Sequence, residues 1–209
     1  MPFKSISILS GPSFSNEVSQ NLPTALTLAT KDKKDFENIS KLIPNKEFRI
    51  YYSNDLIGTQ IGGALKNIYA IAAGIAEGLN LGENAKSALI SRSFAEMTRY
   101  AKKFKADKNT LFGLSGLGDL ILTCSSTNSR NTQFGIKLAS SKYDNFLDLL
   151  KSQEVTEGYY TVKAVYNISQ KKKINMPIME SVYNILYKQH DLKEELSNLL
   201  NRPITDEKI

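Results

Sequence analysis

The sequence predicts a mostly α-helical protein in which a helical domain follows the remnant of an α/β domain. Between Ser5 and Ser53, short β-branched runs alternate with helical patterns. From Asn54 onwards, apolar residues recur at helical spacing almost to the end of the chain. The length of 209 residues allows one large domain or two small ones. We therefore divide the chain into residues 1–53, the end of an α/β sheet domain, and residues 54–209, a helical domain.

The first 53 residues contain the elements of a β-α-β-α-β unit, with three strands and two helices. Three strands are too few for a stable doubly wound sheet, so this part is expected to be the end of a larger sheet domain. The predicted strands are Ile6–Ser10, Thr24–Ala29 and Phe48–Tyr52. The predicted helices are one that Ser13 caps and Leu22-Pro23 ends, and one from Asp32 to Ile43 that Pro44 ends.

After Asn54 the predicted elements are all helices. The first long apolar stripe runs from Ile57 to Ile75, and the second runs from Ile90 to Phe104 with alternating steps of 4 and 3 residues. Shorter helices are predicted near Leu120, Phe134, Phe146, Val162, Ile178 and Leu196.

The composition excludes several classes of function. With one cysteine, Cys124, and one histidine, His190, the chain can form neither an internal disulfide nor a Cys/His metal cluster, so no metal site is expected. Cys124 is predicted to be a small core residue and His190 a surface residue. No segment resembles a signal peptide or is apolar for long enough to insert into a membrane, so a cytoplasmic location is expected.

The net charge of +6 is mild, and its lysines are scattered. Lys102, Lys103, Lys105 and Lys108 follow one predicted helix, and 171–173 follow another. Cations at helix C-termini complement the helix dipole, which explains these lysines without a nucleic-acid partner. No nucleic-acid binding is therefore expected.

The first cluster with chemical potential is a helix containing Gly58, Gly62 and Gly63 before Lys66. An interior glycine costs about 0.5–1 kcal/mol relative to alanine, so these residues suggest that something approaches this backbone closely. The neighbours of Lys66 on its face are small, so its amine would be partly desolvated, which suits a general acid/base. The alternatives are a solvated surface lysine and ordinary helix–helix packing.

A second cluster, GLSGLGD at residues 113–119, predicts a flexible or tightly turned loop in which Asp119 caps the next helix. A dinucleotide fingerprint would need glycine at Ile121, and a nucleophile elbow would need glycine at Leu117. The interpretation as an ordinary capped loop stays open beside a functional one.

The third cluster, TCSSTNSRN at residues 123–131, places Ser129, Arg130 and Asn131 at the start of a helix. Helix N-termini favour anions, and the guanidinium of Arg130 would add a fork of donors for a phosphate. Loops with one arginine are common, so an ordinary polar loop is the alternative. The fourth cluster, VTEGY at residues 155–159, offers one carboxylate, Glu157, and is weak by itself.

Five motifs in order then give a specific resemblance. SGPSF at residues 10–14, GGALKN at 62–67, GLGDL at 116–120, TCSSTNSRN and VTEGY resemble the bacterial NAD(P)-dependent sn-glycerol-3-phosphate dehydrogenases over nearly the whole chain. The resemblance implies a Rossmann-type NAD(P)-binding domain followed by a helical substrate domain. It also implies reversible hydride transfer between a nicotinamide and glycerol 3-phosphate or dihydroxyacetone phosphate, which supplies glycerol 3-phosphate for phospholipid synthesis.

The resemblance also implies roles for single residues. Lys66 matches the family's lysine proton acceptor, and Asp119 matches a substrate-site aspartate. The remaining positions match substrate contacts (Gly11, Ser13, Ser129, Arg130, Asn131) and cofactor contacts (Ser15, Arg130, Val155, Glu157). Ser15 departs from the family's usual alanine, a change that a contact through the backbone would tolerate.

One departure outweighs the others, because the glycine-rich fingerprint that holds the pyrophosphate of NAD or NADP is absent from this chain, as is a substrate-site lysine of that domain. The chain is therefore expected to be a C-terminal fragment or the product of a truncated or split gene, with poor turnover alone. The alternative function is a non-catalytic helical remnant or oligomerisation module. The choice between NAD and NADP and the oligomeric state stay open, with a homodimer as one candidate.

Overall fold

The fold is a three-stranded sheet followed by helices, as the sequence predicts. The computed structural model describes residues 5–43, 46–140, 156–204 and 206–207. Its strands are β1 (Ser7–Ser10), β2 (Thr24–Thr30) and β3 (Phe48–Ser53), each within one residue of its predicted bounds.

The sheet has the order β1-β2-β3, with β1 antiparallel and β3 parallel to β2. Ser10 lies opposite Thr27, and Thr24 lies beside Phe48. The central strand β2 is almost entirely buried, whereas β1 and β3 contain only half-buried and exposed residues. This is the burial expected for two edges around one covered strand.

Two short helices connect the strands, and one of them begins differently from the prediction. Helix α1 (Ser15–Ser19) follows Phe14 and has no side-chain cap. Ser13 instead donates its hydroxyl hydrogen bond to the carbonyl of Gly11 at 3.1 Å, within its own loop, so the predicted cap is wrong. Helix α2 (Lys33–Lys41) is capped by Asp32, which accepts from the Lys34 amide at 2.8 Å.

The helical part is built around one long buried helix, α3 (Leu56–Gly78). Its Leu65, Ile68, Tyr69 and Ile71 are no more than 1% exposed and form the centre of the core. The predicted helix near Phe146 lies outside the described residues. The elements that follow are α4 (Gly82–Lys102), α5 (Lys108–Phe112), a π-helical turn (Leu114–Gly118), α6 (Asp119–Ser125), α7 (Arg130–Ala139), α8 (Glu157–Lys172), α9 (Pro177–Lys188) and α10 (Leu192–Leu200).

The glycines of α3 mark two places where another backbone touches the helix. A Cβ atom at Gly62 would collide with the carbonyl group of Ser115 in the π-helical turn. Further along, a Cβ atom at Gly74 would collide with the carbonyl group of Thr132 in α7. The predicted close approach is thereby confirmed, and the cost of glycine in a helix is offset by closer packing.

The sheet meets the helical part at the end of β1. The hydroxyl oxygen of Ser10 would lie 3.1 Å from a Cβ atom placed on Gly63 of α3. Gly11 then turns the chain with φ of +144°, a conformation that other residues rarely adopt. The loop after β1 is thus held against α3 one turn from Lys66.

A buried carboxylate from α4 caps the N-terminus of α9. Glu96 of α4 is 1% exposed and accepts hydrogen bonds from the amides of Ile178 at 2.7 Å and Met179 at 3.2 Å. The hydroxyl of Tyr69 also donates to it, at 3.3 Å. Burial raises the pKa of Glu96 to about 7, although both backbone hydrogen bonds act in the opposite direction.

Candidate functional site

The shortest ion pair within the described residues is between Lys66 on α3 and Asp119 at the start of α6. The Nζ atom of Lys66 donates to Oδ2 of Asp119 at 2.6 Å. The side chain of Asp119 is 3% exposed and that of Lys66 is 22% exposed, so the carboxylate is covered while the amine reaches solvent. An amine held from behind by a buried carboxylate can exchange a proton with a ligand in front of it.

The predicted capping role of Asp119 is wrong. Residues 114–118 form a π-helical turn rather than a flexible loop, and Asp119 is the first residue of α6, with no capping hydrogen bond from its side chain. The turn is tight because a Cβ atom at Gly116 would collide with the carbonyl group of Leu111. The carboxylate of Asp119 instead accepts the hydrogen bond from Lys66.

Thr123 is a site residue that the sequence reasoning missed. Its hydroxyl donates to the carbonyl of Asp119 at 2.6 Å and lies 3.2 Å from Oδ1 of the same residue. Burial raises the pKa of the Asp119 carboxyl, while Lys66 and the hydrogen bond from Thr123 act in the opposite direction. The signal was its position four residues after Asp119, which places both on one helix face.

A second polar network joins three helices beside this pair. The amide of Asn67 donates to Oε2 of Glu157 at 2.9 Å, and the amide of Asn131 donates to Oδ1 of Asn67 at 3.1 Å. The Oδ1 atom of Asn131 accepts from the backbone amide of Gly158 at 2.9 Å. The network joins the GGALKN, TCSSTNSRN and VTEGY motifs, and Asn67 is a member to which the sequence analysis gave no role.

The predicted helix start at residues 129–131 is present. Ser129 caps α7 by accepting from the Thr132 amide at 3.3 Å, and both Ser129 and Asn131 are buried. Arg130 differs, since its side chain is 57% exposed, with a guanidinium nitrogen 3.9 Å from Oε1 of Glu157. The exposed cation therefore lies at the positive end of a helix dipole, a combination that suits an anion.

The remaining predicted site residues lie at the edges of this arrangement. Gly11 is buried in the loop that contacts α3, whereas Ser13 and Ser15 are exposed on the sheet side. Val155 lies outside the described residues. Glu157 begins α8 and is held by Asn67, so the structure brings it together with Arg130.

Two other reactive side chains are occupied elsewhere. Cys124 is fully buried, and burial raises the pKa of its thiol to about 12. His190 lies 2.7 Å through Nδ1 from Oε1 of Glu195, at the far end of α9. Among the described residues, no group of three His, Cys, Asp or Glu side chains could hold a metal ion. Within the same residues, no helix combines the length and apolar character needed to cross a membrane.

The described residues include polar groups that could contact a dinucleotide cofactor, but they include no cradle for its pyrophosphate. Arg130 and Glu157 are exposed polar groups close to Lys66's helix and could contact a bound cofactor. The glycines of residues 113–118 cannot cradle a pyrophosphate, since Gly116 is packed against Leu111 inside the π-helical turn. These glycines also lie between two helices, and no glycine-rich turn between a strand and a helix is present in the described ranges.

Comparisons with known proteins point to one family. The sequence model of the family described as NAD-dependent glycerol-3-phosphate dehydrogenase C-terminus matches residues 55–197. A protein of Solidesulfovibrio magneticus named glycerol-3-phosphate dehydrogenase, NAD(P)+, is 47% identical over 201 residues, which are 96% of this chain and 60% of that protein. Its counterpart in Colwellia psychrerythraea is 44% identical over 95% of this chain and 59% of its own length.

Solved structures are similar as well. The crystal structure of glycerol-3-phosphate dehydrogenase from Coxiella burnetii superposes with a TM-score of 0.90 at 38% identity, over 95% of this chain and 61% of that one. The Plasmodium falciparum glycerol-3-phosphate dehydrogenase gives a TM-score of 0.85 at 28% identity, over 96% and 58%. This chain thus spans about 60% of the length of the relatives it matches.

Proposed function

Because this chain belongs to the family of NAD-dependent glycerol-3-phosphate dehydrogenase C-terminal domains, we propose that it forms the substrate-binding and catalytic part of such an enzyme. In this proposal residues 54–209 bind the substrate, and residues 1–53 belong to the NAD(P)-binding domain. The substrate pair is glycerol 3-phosphate and dihydroxyacetone phosphate, and the product would supply phospholipid synthesis in the cytoplasm. The observation that carries the proposal is the Lys66–Asp119 pair.

The chemistry assigned to Lys66 is proton transfer at the C2 oxygen. A bound nicotinamide supplies the carbon that accepts or donates the hydride. When C2 of glycerol 3-phosphate loses hydride, its hydroxyl proton passes to the neutral amine of Lys66. The resulting ammonium is stabilised by the carboxylate of Asp119, 2.6 Å away. In the reverse direction the ammonium returns this proton to the forming alkoxide.

The role assigned to Asp119 is to position and charge-balance Lys66. Its side chain is 3% exposed and is hydrogen-bonded by Thr123, so it holds one orientation on α6. A fixed carboxylate restricts the amine to one direction, and orientation of this kind supplies a large part of an enzyme's rate.

The proposed contact for the substrate phosphate is Arg130. Its exposed guanidinium and the N-terminus of α7 both favour a dianion, while Ser129 and Asn131 are buried behind it. These two residues would then support the phosphate site by holding the helix start and the polar network with Asn67 and Glu157. Gly11 and Ser13 would close the substrate site from the sheet side, and Ser15, Val155 and Glu157 would contact the cofactor.

A complementation experiment tests the proposal. The 209-residue chain is mixed with the N-terminal segment that the Solidesulfovibrio relative has in addition, and NADH oxidation is measured with dihydroxyacetone phosphate. We expect turnover in the mixture, little or none with the chain alone, and a loss of at least about a hundredfold in Lys66→Ala. The matched control, Lys41→Ala on exposed α2, should leave the rate unchanged.

Two results would overturn parts of the proposal. Full activity in Lys66→Ala would remove the proton-transfer role, and robust turnover by the chain alone would show that the cofactor is held by these residues after all. Direct titration of the chain with dihydroxyacetone phosphate separates the alternative of a non-catalytic helical module, which predicts no binding and no effect of Arg130→Gln.

A further inference from the structure

Two groups of lysines that are far apart in the sequence meet on one surface. The ring of Phe104 lies 4.9 Å below the Nζ atom of Lys172, and Arg99 donates to the carbonyl of Asn175 at 2.9 Å. The C-terminal ends of α4 and α8 are therefore adjacent. We call the lysines at these ends, in the turn after α4 and at the start of α5 the lysine surface; they are Lys102, Lys103, Lys105, Lys108, Lys171, Lys172 and Lys173.

The lysine surface carries the whole excess charge of the molecule. All seven side chains are exposed, and within the described residues none of them forms a salt bridge. Its seven lysines and Asp107, the one carboxylate within residues 99–108 and 171–173, give a net charge of +6, which equals that of the whole chain. The carboxylate, Asp107, caps α5 by accepting from the Asn109 amide at 2.9 Å.

Helix dipoles explain only a small part of this charge. The C-terminus of a helix is equivalent to about half a negative charge, so the ends of α4 and α8 together offset about one lysine. Six exposed, mutually repelling lysines are left on one surface. Such an arrangement costs stability in the free protein and is compensated when a polyanion covers it.

We propose that the lysine surface adsorbs to membranes that contain anionic lipids. Its cations are lysines, which act as hydrated point charges, while the guanidinium of Arg99 is turned to a backbone carbonyl. Clustered lysines bind anionic lipid surfaces through diffuse attraction that requires no fitted site. Phe112, 48% exposed under Lys108, adds an aromatic ring that can enter the headgroup layer.

The same features disfavour a nucleic acid. Phosphate-binding proteins commonly aim helix N-termini at the backbone, but the helix ends beside these lysines are the C-termini of α4 and α8, whose dipoles disfavour a closely fitted phosphate. Stacking of unpaired bases needs an open aromatic face, and the rings of Phe104 and Phe112 each lie beneath a lysine amine.

Sedimentation with vesicles tests the proposal on the 209-residue chain. Vesicles of phosphatidylglycerol and phosphatidylcholine in equal parts should bind the chain at low salt, and vesicles of phosphatidylcholine alone should not. A triple variant, Lys102→Gln, Lys171→Gln and Lys173→Gln, should weaken binding by about a hundredfold, since each lysine contributes about a factor of five. None of these residues belongs to the candidate site.

The matched control removes the same charge elsewhere. Lys33→Gln, Lys34→Gln and Lys41→Gln lie on exposed α2 and should change vesicle binding by less than about threefold, the effect of net charge alone. Equal weakening in both triple variants, with unchanged circular dichroism, would overturn the proposal. So would a lack of binding to the anionic vesicles, and tighter binding to a single-stranded RNA of about 20 nucleotides would assign the surface to nucleic acid instead.

Discussion

The amine of Lys66 lies 2.6 Å from a carboxylate oxygen of Asp119, although 53 residues separate them in the sequence. The pair links the longest helix to the one that follows the π-helical turn. Its two members differ in exposure, with the carboxylate covered and the amine partly open. This asymmetry supports the proposal that Asp119 positions Lys66, because the amine is the more exposed of the two groups.

We expect Asp119→Asn to reduce turnover of the complemented enzyme by about a hundredfold or more, because Lys66 loses both its direction and the charge that stabilises its ammonium form. The KM for dihydroxyacetone phosphate should change far less, since Arg130 holds the phosphate in this proposal. Steady-state kinetics measure both. Glu37→Gln, which removes an exposed carboxylate from α2, is the control, and a variant at Asp119 with half the original kcat would contradict the assignment.

Substitution of the neighbouring glycines of α3 should have opposite effects on stability. In Gly62→Ala the new methyl group collides with the Ser115 carbonyl. Overpacking of this kind costs about 1–3 kcal/mol, and we expect a loss of stability in this range. In Gly63→Ala the methyl group meets only the flexible Ser10 hydroxyl, at 3.1 Å, and alanine favours the helix by up to about 1 kcal/mol. Urea unfolding of both variants gives the comparison, and equal free energies of unfolding would show that the π-helical turn yields easily.

The buried Glu96 should make stability depend on pH. Its pKa rises from 4.5 to about 7 in the folded protein, so its contribution is fully present below pH 4.5 and is lost as the pH rises to about 7. The loss corresponds to about 3 kcal/mol. We expect the difference in free energy of unfolding between the original chain and Glu96→Gln to shift by up to this amount between pH 5 and pH 8. A constant difference would mean that Glu96 titrates normally.

The thiol of Cys124 should be inert in the native state. It is fully buried and its pKa is raised to about 12, so almost no thiolate is present at pH 8. An aromatic disulfide reagent should label the chain only after denaturant is added. The labelling rate at intermediate denaturant should follow global unfolding, and rapid native labelling would show that α6 opens locally.

The sequence predicted what short-range patterns determine. The three strands, the long helices and the position of Arg130 at a helix start follow from periodicity and from capping residues within a few positions. The partial burial of Lys66, whose side chain is 22% exposed, was also predicted, because its small neighbours lie one turn away on the same helix.

What the sequence missed depends on contacts between distant segments. Asp119 was predicted from its neighbours in the sequence to cap its own helix. Its carboxylate instead forms a hydrogen bond with Lys66 on another helix. The glycine-rich residues before it were predicted as a loop, yet packing against Gly62 shapes them into a π-helical turn. Asn67 and Glu96 carry no local signal, because each becomes a hub only when three separate segments meet around it.

The two close backbone contacts at glycines of α3 also fix the position of this helix. Gly62 and Gly74 are twelve residues apart, which corresponds to about 18 Å along the axis and about 120° around it. The carbonyls of Ser115 and Thr132 therefore contact α3 from two different directions. With both contacts in place, α3 can neither shift along its axis nor rotate by one residue, because either movement would bring a side chain against one of the two carbonyls. Lys66 lies between the two contacts, so they also fix the direction in which its side chain leaves the helix.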